Sequence, residues 1–81
     1  MTTTPALWRL YRLLILDHTY YAAYLHRHAA RLDLDDAELA ALLGCGADTL
    51  PHVGLTLRSV DAATVEGRFG LRRGSLAELV G

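Results

Sequence analysis

The chain has 81 residues, of which 52% are hydrophobic, and its formal net charge is −1 at neutral pH. This length suits one domain with a single small core, and the near-zero charge excludes an overall basic bias toward nucleic acid. So high an apolar content in so small a chain indicates that some apolar surface is buried against another chain. The charge is uneven, since residues 1–31 carry +3 and residues 32–81 carry −4.

The first segment, residues 5–32, is rich in aromatic and aliphatic side chains and has no glycine. Pro5 suits the first position of a helix, with Thr4 as its cap. Apolar residues recur every three or four positions, which predicts a helix. A single helix of this length would extend over roughly 42 Å, which is too long for so small a domain. Two alternatives follow: the helix breaks near residues 17–19, which we favour, or it projects and pairs with another chain.

Polar caps and glycines divide the next part of the chain into short helices. Asp35, with Glu38 three residues further on, predicts a capping box, and Gly44 predicts the end of that helix. The next helix is expected over residues 47–53. Pro51 is tolerated there if Asp48 is the cap, because proline then falls within the first turn.

The same signals continue to the end of the chain. Asp61 predicts the start of a fourth helix and Gly70 its end, with Leu71 as an apolar plug in the connector. A last short helix is expected to start at Gly74 or Ser75. Because no strand signal appears, we predict an all-α chain. It forms one domain over residues 1–81, with an N-terminal interaction helix over 5–18 and a core over 19–81.

Two stretches resemble a known family. LDLDDAELAALLGCGADTLPHV, residues 32–53, is similar to the second helix, turn and third helix of the Cro and phage-repressor type of helix-turn-helix protein. VEGRFGLRRGSLAELV, residues 65–80, is similar to the fourth and fifth helices that close its core. The resemblance covers roughly residues 20–80. It implies a four- to five-helix helix-turn-helix domain, to which the apolar N-terminal helix is an addition.

In that family the third helix lies in the major groove of DNA. The resemblance places five residues of this chain toward DNA: Gly46, Ala47, Asp48, Thr49 and His52. None of them is Arg, Lys, Asn or Gln, the side chains that read base edges best, and the charge of Asp48 would repel phosphates. For a DNA-binding protein, the expected contacts are Thr49, His52, Arg58, Arg27 and Arg31.

The apolar N-terminal helix is the stronger functional signal, because aromatic and large apolar side chains are enriched in protein interfaces. The residues predicted to bind a partner are Trp8, Leu10, Tyr11, Leu13, Leu14 and Ile15. We therefore expect a small regulatory or adaptor subunit that binds another protein, or itself, through this helix. The alternative is a DNA-binding transcriptional regulator of the repressor type, in which dimerisation through the helix sets the half-site spacing.

Little in the sequence points to catalysis, metal binding or a membrane. His26 and His28 point to different sides of a helix and cannot share an ion, so we expect no metal and no cofactor. Cys45 is the single cysteine, which favours the cytoplasm and is expected to be a small buried residue. No stretch approaches the ~18 apolar residues of a membrane span. Since no phosphate loop or Ser/His/Asp arrangement is present, we expect neither an enzyme nor a small-molecule substrate.

Overall fold

A computed structural model describes residues 5–80 of the chain. The six α-helices of this part are Pro5–Leu13 (α1), Tyr21–Leu32 (α2), Asp36–Leu43 (α3), Leu50–Gly54 (α4), Ala62–Phe69 (α5) and Ser75–Val80 (α6). A 3-10 turn, Ala47–Thr49, precedes α4. Residues 5–80 contain no strand, although Tyr20 and Leu57 pair through an isolated bridge. The prediction of an all-helical chain is therefore confirmed for this part.

The predicted break in the first segment is confirmed, and it is wider than the expected residues 17–19 on both sides. The helix predicted over residues 5–18 ends at Leu13, and α2 begins at Tyr21. Between them, the carboxylate of Asp17 accepts a hydrogen bond from the amide of Thr19 at 3.0 Å. This hydrogen bond gives the Thr19 amide a partner outside a helix, and it therefore competes with continuation of the helix. The predicted cap Thr4 lies outside the described residues.

Local caps set the ends of α3 and α5 as the sequence predicts. The amide of Glu38 donates to Asp35 Oδ1 at 2.8 Å, and the amide of Asp35 donates to Glu38 Oε1 at 3.0 Å, which completes the capping box. α3 is followed by Gly44 with φ +79°, a conformation that favours glycine. Asp61 caps α5 by accepting from the amide of Thr64.

The helix predicted over residues 47–53 is instead two short pieces, the 3-10 turn and α4. Asp48 lies inside the 3-10 turn, and Gly46 occupies the N-cap position. The condition set for Pro51 in the sequence analysis, that Asp48 is the cap, is therefore not met. Pro51 falls in the first turn of α4, where its missing amide hydrogen costs no intrahelical bond. The α-helix thus restarts at Leu50, one residue before the proline.

α2 is the central helix of the fold, since it contacts α3, α4 and α6, while α1 packs on α4 and α5 packs on α6. The large side chains that are completely buried between them are Tyr21, Leu25, Leu39, Leu43, Leu50, Pro51, Val53, Val65 and Leu76. Leu71, the predicted plug, is 7% exposed and belongs to the same cluster. Each helix therefore contributes one apolar face to a single core.

A buried carboxylate joins α5 to α6. Glu66 is 5% exposed. Its Oε1 accepts from the amide of Gly74 at 2.9 Å, and its Oε2 accepts from the amides of Leu76 and Ala77 at 3.0 Å. These backbone hydrogen bonds, with that of Gly74 foremost, lower the pKa of Glu66. The ionised side chain thus satisfies amides at the start of α6 that have no partner within the helix.

Candidate interaction surfaces

One face of α1 belongs to the core. Tyr11 is only 4% exposed, and its ring lies so close to Gly54 of α4 that a Cβ atom there would overlap it. Trp8 packs edge-on against Tyr11 with 5.8 Å between the ring centroids. Trp8 and Leu14 are half-buried against the core. Tyr11, predicted to bind a partner, is therefore a core residue, and Trp8 and Leu14 are only partly available to a partner.

Three exposed leucines lie on α1 and in the turn that follows it. Leu10, Leu13 and Leu16 are 46%, 73% and 81% exposed, and we refer to them as the leucine strip. Two of the three are predicted interface residues. Leu16 is not, although its spacing of three from Leu13 could have indicated it. Ile15, also predicted to bind a partner, is half-buried and lines a groove between α1, α2 and α3.

The backbone after α1 forms two successive turns. The amide of Leu14 donates to the carbonyl of Tyr11 at 3.1 Å, and that of Asp17 donates to the carbonyl of Leu14 at 3.0 Å. Both hydrogen bonds join residues three positions apart and close turns, so the helix itself does not continue beyond Leu13. Leu16, the last leucine of the strip, therefore lies in the turns that follow α1.

Opposite charges flank the leucine strip. Arg9, directly before Leu10, and Asp17, directly after Leu16, are both exposed. The hydrogen bond from the amide of Thr19 lowers the pKa of Asp17, so the carboxylate is ionised at neutral pH. The strip thus has a positive end and a negative end. Arg12, on the side of α1 that faces α3, lies 3.5 Å from Asp36 instead.

The surface that the family resemblance assigns to DNA is only partly available. Thr49 and His52 are half-buried, and Nε2 of His52 is a buried atom without a hydrogen-bond partner in the described part of the chain. Ala47 packs against the core, whereas Gly46 and Asp48 are exposed. The charged side chain that this segment exposes is therefore acidic.

Arg58 lies against two aromatic rings. Its guanidinium carbon is 5.3 Å from the ring centroid of Tyr21 and 5.2 Å from that of Tyr24, one turn further along α2. The amide of Arg58 donates to the carbonyl of Thr19 at 2.8 Å. Cation–π contacts of this kind stabilise a partly desolvated guanidinium. Arg58 therefore holds the loop after α4 against the start of α2.

Arg27 meets the same aromatic ring as Arg58. Its guanidinium carbon is 5.7 Å from the ring centroid of Tyr24, and its Nη2 is 3.4 Å from Nδ1 of His18. Arg31 follows one turn later on α2 and is exposed. The structure thus brings two of the predicted DNA contacts, Arg27 and Arg58, together at one ring.

A second apolar surface lies between α2, α3 and α6, in a groove of about 310 Å³. It is lined in part by Leu32 and Leu42, which are 52% and 37% exposed. Arg72 crosses this region, and its guanidinium donates to the carbonyl of Leu42 at 3.0 Å. The sequence analysis did not single out this surface, because its residues come from three separate helices.

Comparison of the chain with protein-family models, with curated proteins and with solved structures gave no match. Residues 5–80 contain no group of three or more histidine, cysteine, aspartate or glutamate side chains placed to hold a metal ion. None of the six described helices combines the length and apolar character that crossing a bilayer requires. Cys45 is half-buried, and burial raises the pKa of its thiol.

Proposed function

We propose that this chain is a small regulatory or adaptor subunit of the helix-turn-helix type that acts by protein–protein interaction or self-association through the leucine strip. The observation that carries the proposal is the exposure of Leu10, Leu13 and Leu16, at 46%, 73% and 81%. Single exposed leucines are ordinary on protein surfaces. Three within seven residues of one segment are a concentration of exposed apolar surface of the kind that marks an interaction site.

The energy of burial supports this assignment. Together the strip exposes about as much surface as two whole leucines, and burying one leucine contributes about 1.5–3 kcal/mol. Covering the strip therefore contributes about 3–6 kcal/mol for each chain, before the entropic cost of association. A partner that covers the strip gains a substantial part of its binding energy there.

The arrangement of α3, the turn and α4 supports the helix-turn-helix part of the proposal. Ala40, Leu50 and Val53 are buried, and Gly44 has positive φ in the turn. These are the small residue, the two apolar anchors and the turn glycine of the Cro and repressor resemblance. In this role the motif is a scaffold that positions α1, because α4 carries the glycine on which Tyr11 rests.

The test replaces all three leucines of the strip by serine. We expect this variant to keep its helix content and to lose both self-association and binding to proteins of its host. A matched control replaces Leu32 and Leu42 by serine in the second groove and is expected to behave as the wild type. The measurements are sedimentation velocity and cross-linking in host extract, with circular dichroism to verify folding. Unchanged assembly and unchanged cross-linked partners in the strip variant would refute the proposal.

The second candidate is a DNA-binding regulator of the Cro or repressor type. It is supported by the same helix-turn-helix pattern and by the meeting of Arg27 and Arg58 at Tyr24, since arginine and aromatic side chains together bind nucleic acid. The exposed Asp35, Glu38 and Asp48 oppose it, because phosphate contacts dominate DNA affinity.

A mobility shift of random duplex DNA at low salt tests this second candidate. A DNA-binding protein would give a shift that weakens steeply as salt is raised. Replacing Arg27 and Arg31 by serine would reduce that shift and lower its salt dependence. Absence of any shift at low salt rejects DNA binding and leaves the first candidate.

A further inference from the structure

Along the sequence, the leucine strip and its flanking charges are spaced symmetrically about Leu13. Leu10 and Leu16 lie three residues to either side of it, and Arg9 and Asp17 lie four residues to either side. If the sequence of the strip is read backwards, each leucine again falls on a leucine, and Arg9 and Asp17 change places. A surface with this property is complementary to a reversed copy of itself.

We infer that the leucine strip binds a second copy of this chain, with the two strips antiparallel about a two-fold axis at Leu13. This inference rests on the function proposed above. In a two-fold interface, a contact from residue i to residue j is repeated from j to i. Leu13 then packs on Leu13 of the second copy, Leu10 packs on Leu16, and Arg9 faces Asp17 at both ends.

Charge complementarity selects this arrangement over others. A parallel pair would set Arg9 against Arg9 and Asp17 against Asp17, and like charges held close together are unfavourable. A partner with a uniformly acidic surface would satisfy Arg9 and repel Asp17, and a basic partner would do the reverse. A reversed copy of the strip satisfies both ends together.

The carboxylate of Asp17 is held in place at the end of the strip. Its Oδ1 accepts from the amide of Thr19 at 3.0 Å, and the side chain remains exposed. Arg12 is directed to Asp36, 3.5 Å away, which leaves Arg9 as the arginine of α1 that lies beside the strip. The two charges that the inference requires are therefore both exposed and both adjacent to exposed leucines.

The size of the surface predicts a weak, reversible dimer. Three leucines and two charges from each chain cover less than the roughly 800 Å² per partner of a standard stable interface. We therefore expect a dimer that dissociates in the micromolar to millimolar range, rather than a permanent one. Sedimentation equilibrium over a series of concentrations of the full chain measures its dissociation constant.

Charge reversal tests the antiparallel pairing. Arg9→Asp and Asp17→Arg each place like charges together at both ends, and each should raise the dissociation constant of the dimer about tenfold. The double variant R9D/D17R restores opposite charges and should return to within about threefold of the wild type. Arg31→Asp makes the same charge change on α2, away from the strip, and should leave the constant unchanged.

Cysteine cross-linking gives an independent test that does not alter Asp17. In a Cys45→Ala background, Leu13→Cys lies on the two-fold axis and should form a disulfide-linked dimer under mild oxidation. Leu10→Cys alone should cross-link poorly, because the two copies of that position lie about 9 Å apart along the axis, beyond the reach of a disulfide. A mixture of Leu10→Cys and Leu16→Cys chains should cross-link readily.

The outcomes separate this inference from the function on which it rests. A wild-type chain that remains monomeric up to about 1 mM, the upper end of the expected range of the dissociation constant, overturns the inference. The proposed function then depends on binding of the strip to host proteins. A dimer that is lost with Leu13→Ser but unaffected by either charge reversal overturns the antiparallel pairing alone. Restoration by the double variant, with the predicted cross-linking pattern, supports it.

Discussion

The contact between Tyr11 and Gly54 is the point at which α1 is fixed to the rest of the domain. A Cβ atom at Gly54 would overlap two carbons of the Tyr11 ring and would lie 3.3 Å from the Cβ of Ala22. Tyr11 is 4% exposed and Ala22 is completely buried, so neither can move aside without disturbing the core. Gly54→Ala therefore forces α1 away from α4.

The expected change in the free energy of unfolding is the difference between two opposing effects. Overpacking a core by one methyl group costs about 1–3 kcal/mol. Replacing glycine by alanine also removes conformational freedom from the unfolded chain, which stabilises the fold by about 0.4–1 kcal/mol. The first effect is larger, and we expect Gly54→Ala to lower the free energy of unfolding by about 1–2 kcal/mol. In a domain of this size, each kcal/mol lowers Tm by about 4–8 °C.

Urea unfolding measures this change. Circular dichroism reports helix content, and fluorescence of Trp8, the single tryptophan, reports the packing of α1 on the domain. Gly67→Ala is the matched control. Gly67 lies within α5, and nothing is within 4 Å of its Cβ position, so alanine there should stabilise the domain by about 0.5–1 kcal/mol. If Gly54→Ala also stabilises the domain, α1 does not pack on α4 through Tyr11 and the reasoning is refuted.

Two further predictions concern ionisable groups in the core. Glu66→Gln should lower the free energy of unfolding by about 1.5–3 kcal/mol, because one of the two acceptor oxygens becomes an NH2 group that cannot accept and the other loses its charge. Since the folded state lowers the pKa of Glu66, its contribution is present above the ordinary glutamate pKa and is lost as the pH falls through the folded-state value. Acid unfolding of Glu66→Gln should therefore be less steep than that of the wild type, and equal steepness would contradict the capping role. Burial, with a smaller effect from the carboxylate of Asp36, raises the pKa of Tyr11 to about 12. Stability should thus fall as the pH rises from about 10 to about 12. The urea midpoint should show a smaller fall in Tyr11→Phe, and an identical fall would show that Tyr11 is not buried.

Most helix ends could be predicted from the sequence because they depend on neighbouring residues. The capping box of Asp35 and Glu38 and the turn at Gly44 involve atoms within a few positions of one another. The same holds for the cap at Asp61. Chemistry of this range can be inferred from residue types alone. The break after α1 was also predictable in kind, because a 28-residue helix exceeds the size of the domain.

The candidate interface was only half predictable. An apolar segment marks α1 as a helix that must be covered, but residues 13–16 are apolar on every side, so periodicity does not say which side faces the core. The structure decides this through Gly54, which is distant in sequence and admits the ring of Tyr11. Leu10, Leu13 and Leu16 are left outside by that contact.

The sequence by itself thus determined that the chain is helical, where most helices start and stop, and that its leading segment carries more apolar surface than a small domain can cover. Only the tertiary structure decided which residues of that segment are core and which are surface. The same is true of the contact of Arg58 with Tyr21 and Tyr24 and of Glu66 with the start of α6. The physical reason is the separation along the chain of the residues that interact. Caps and turns depend on adjacent residues, whereas burial of a side chain depends on how its shape fits helices that fold from other parts of the chain.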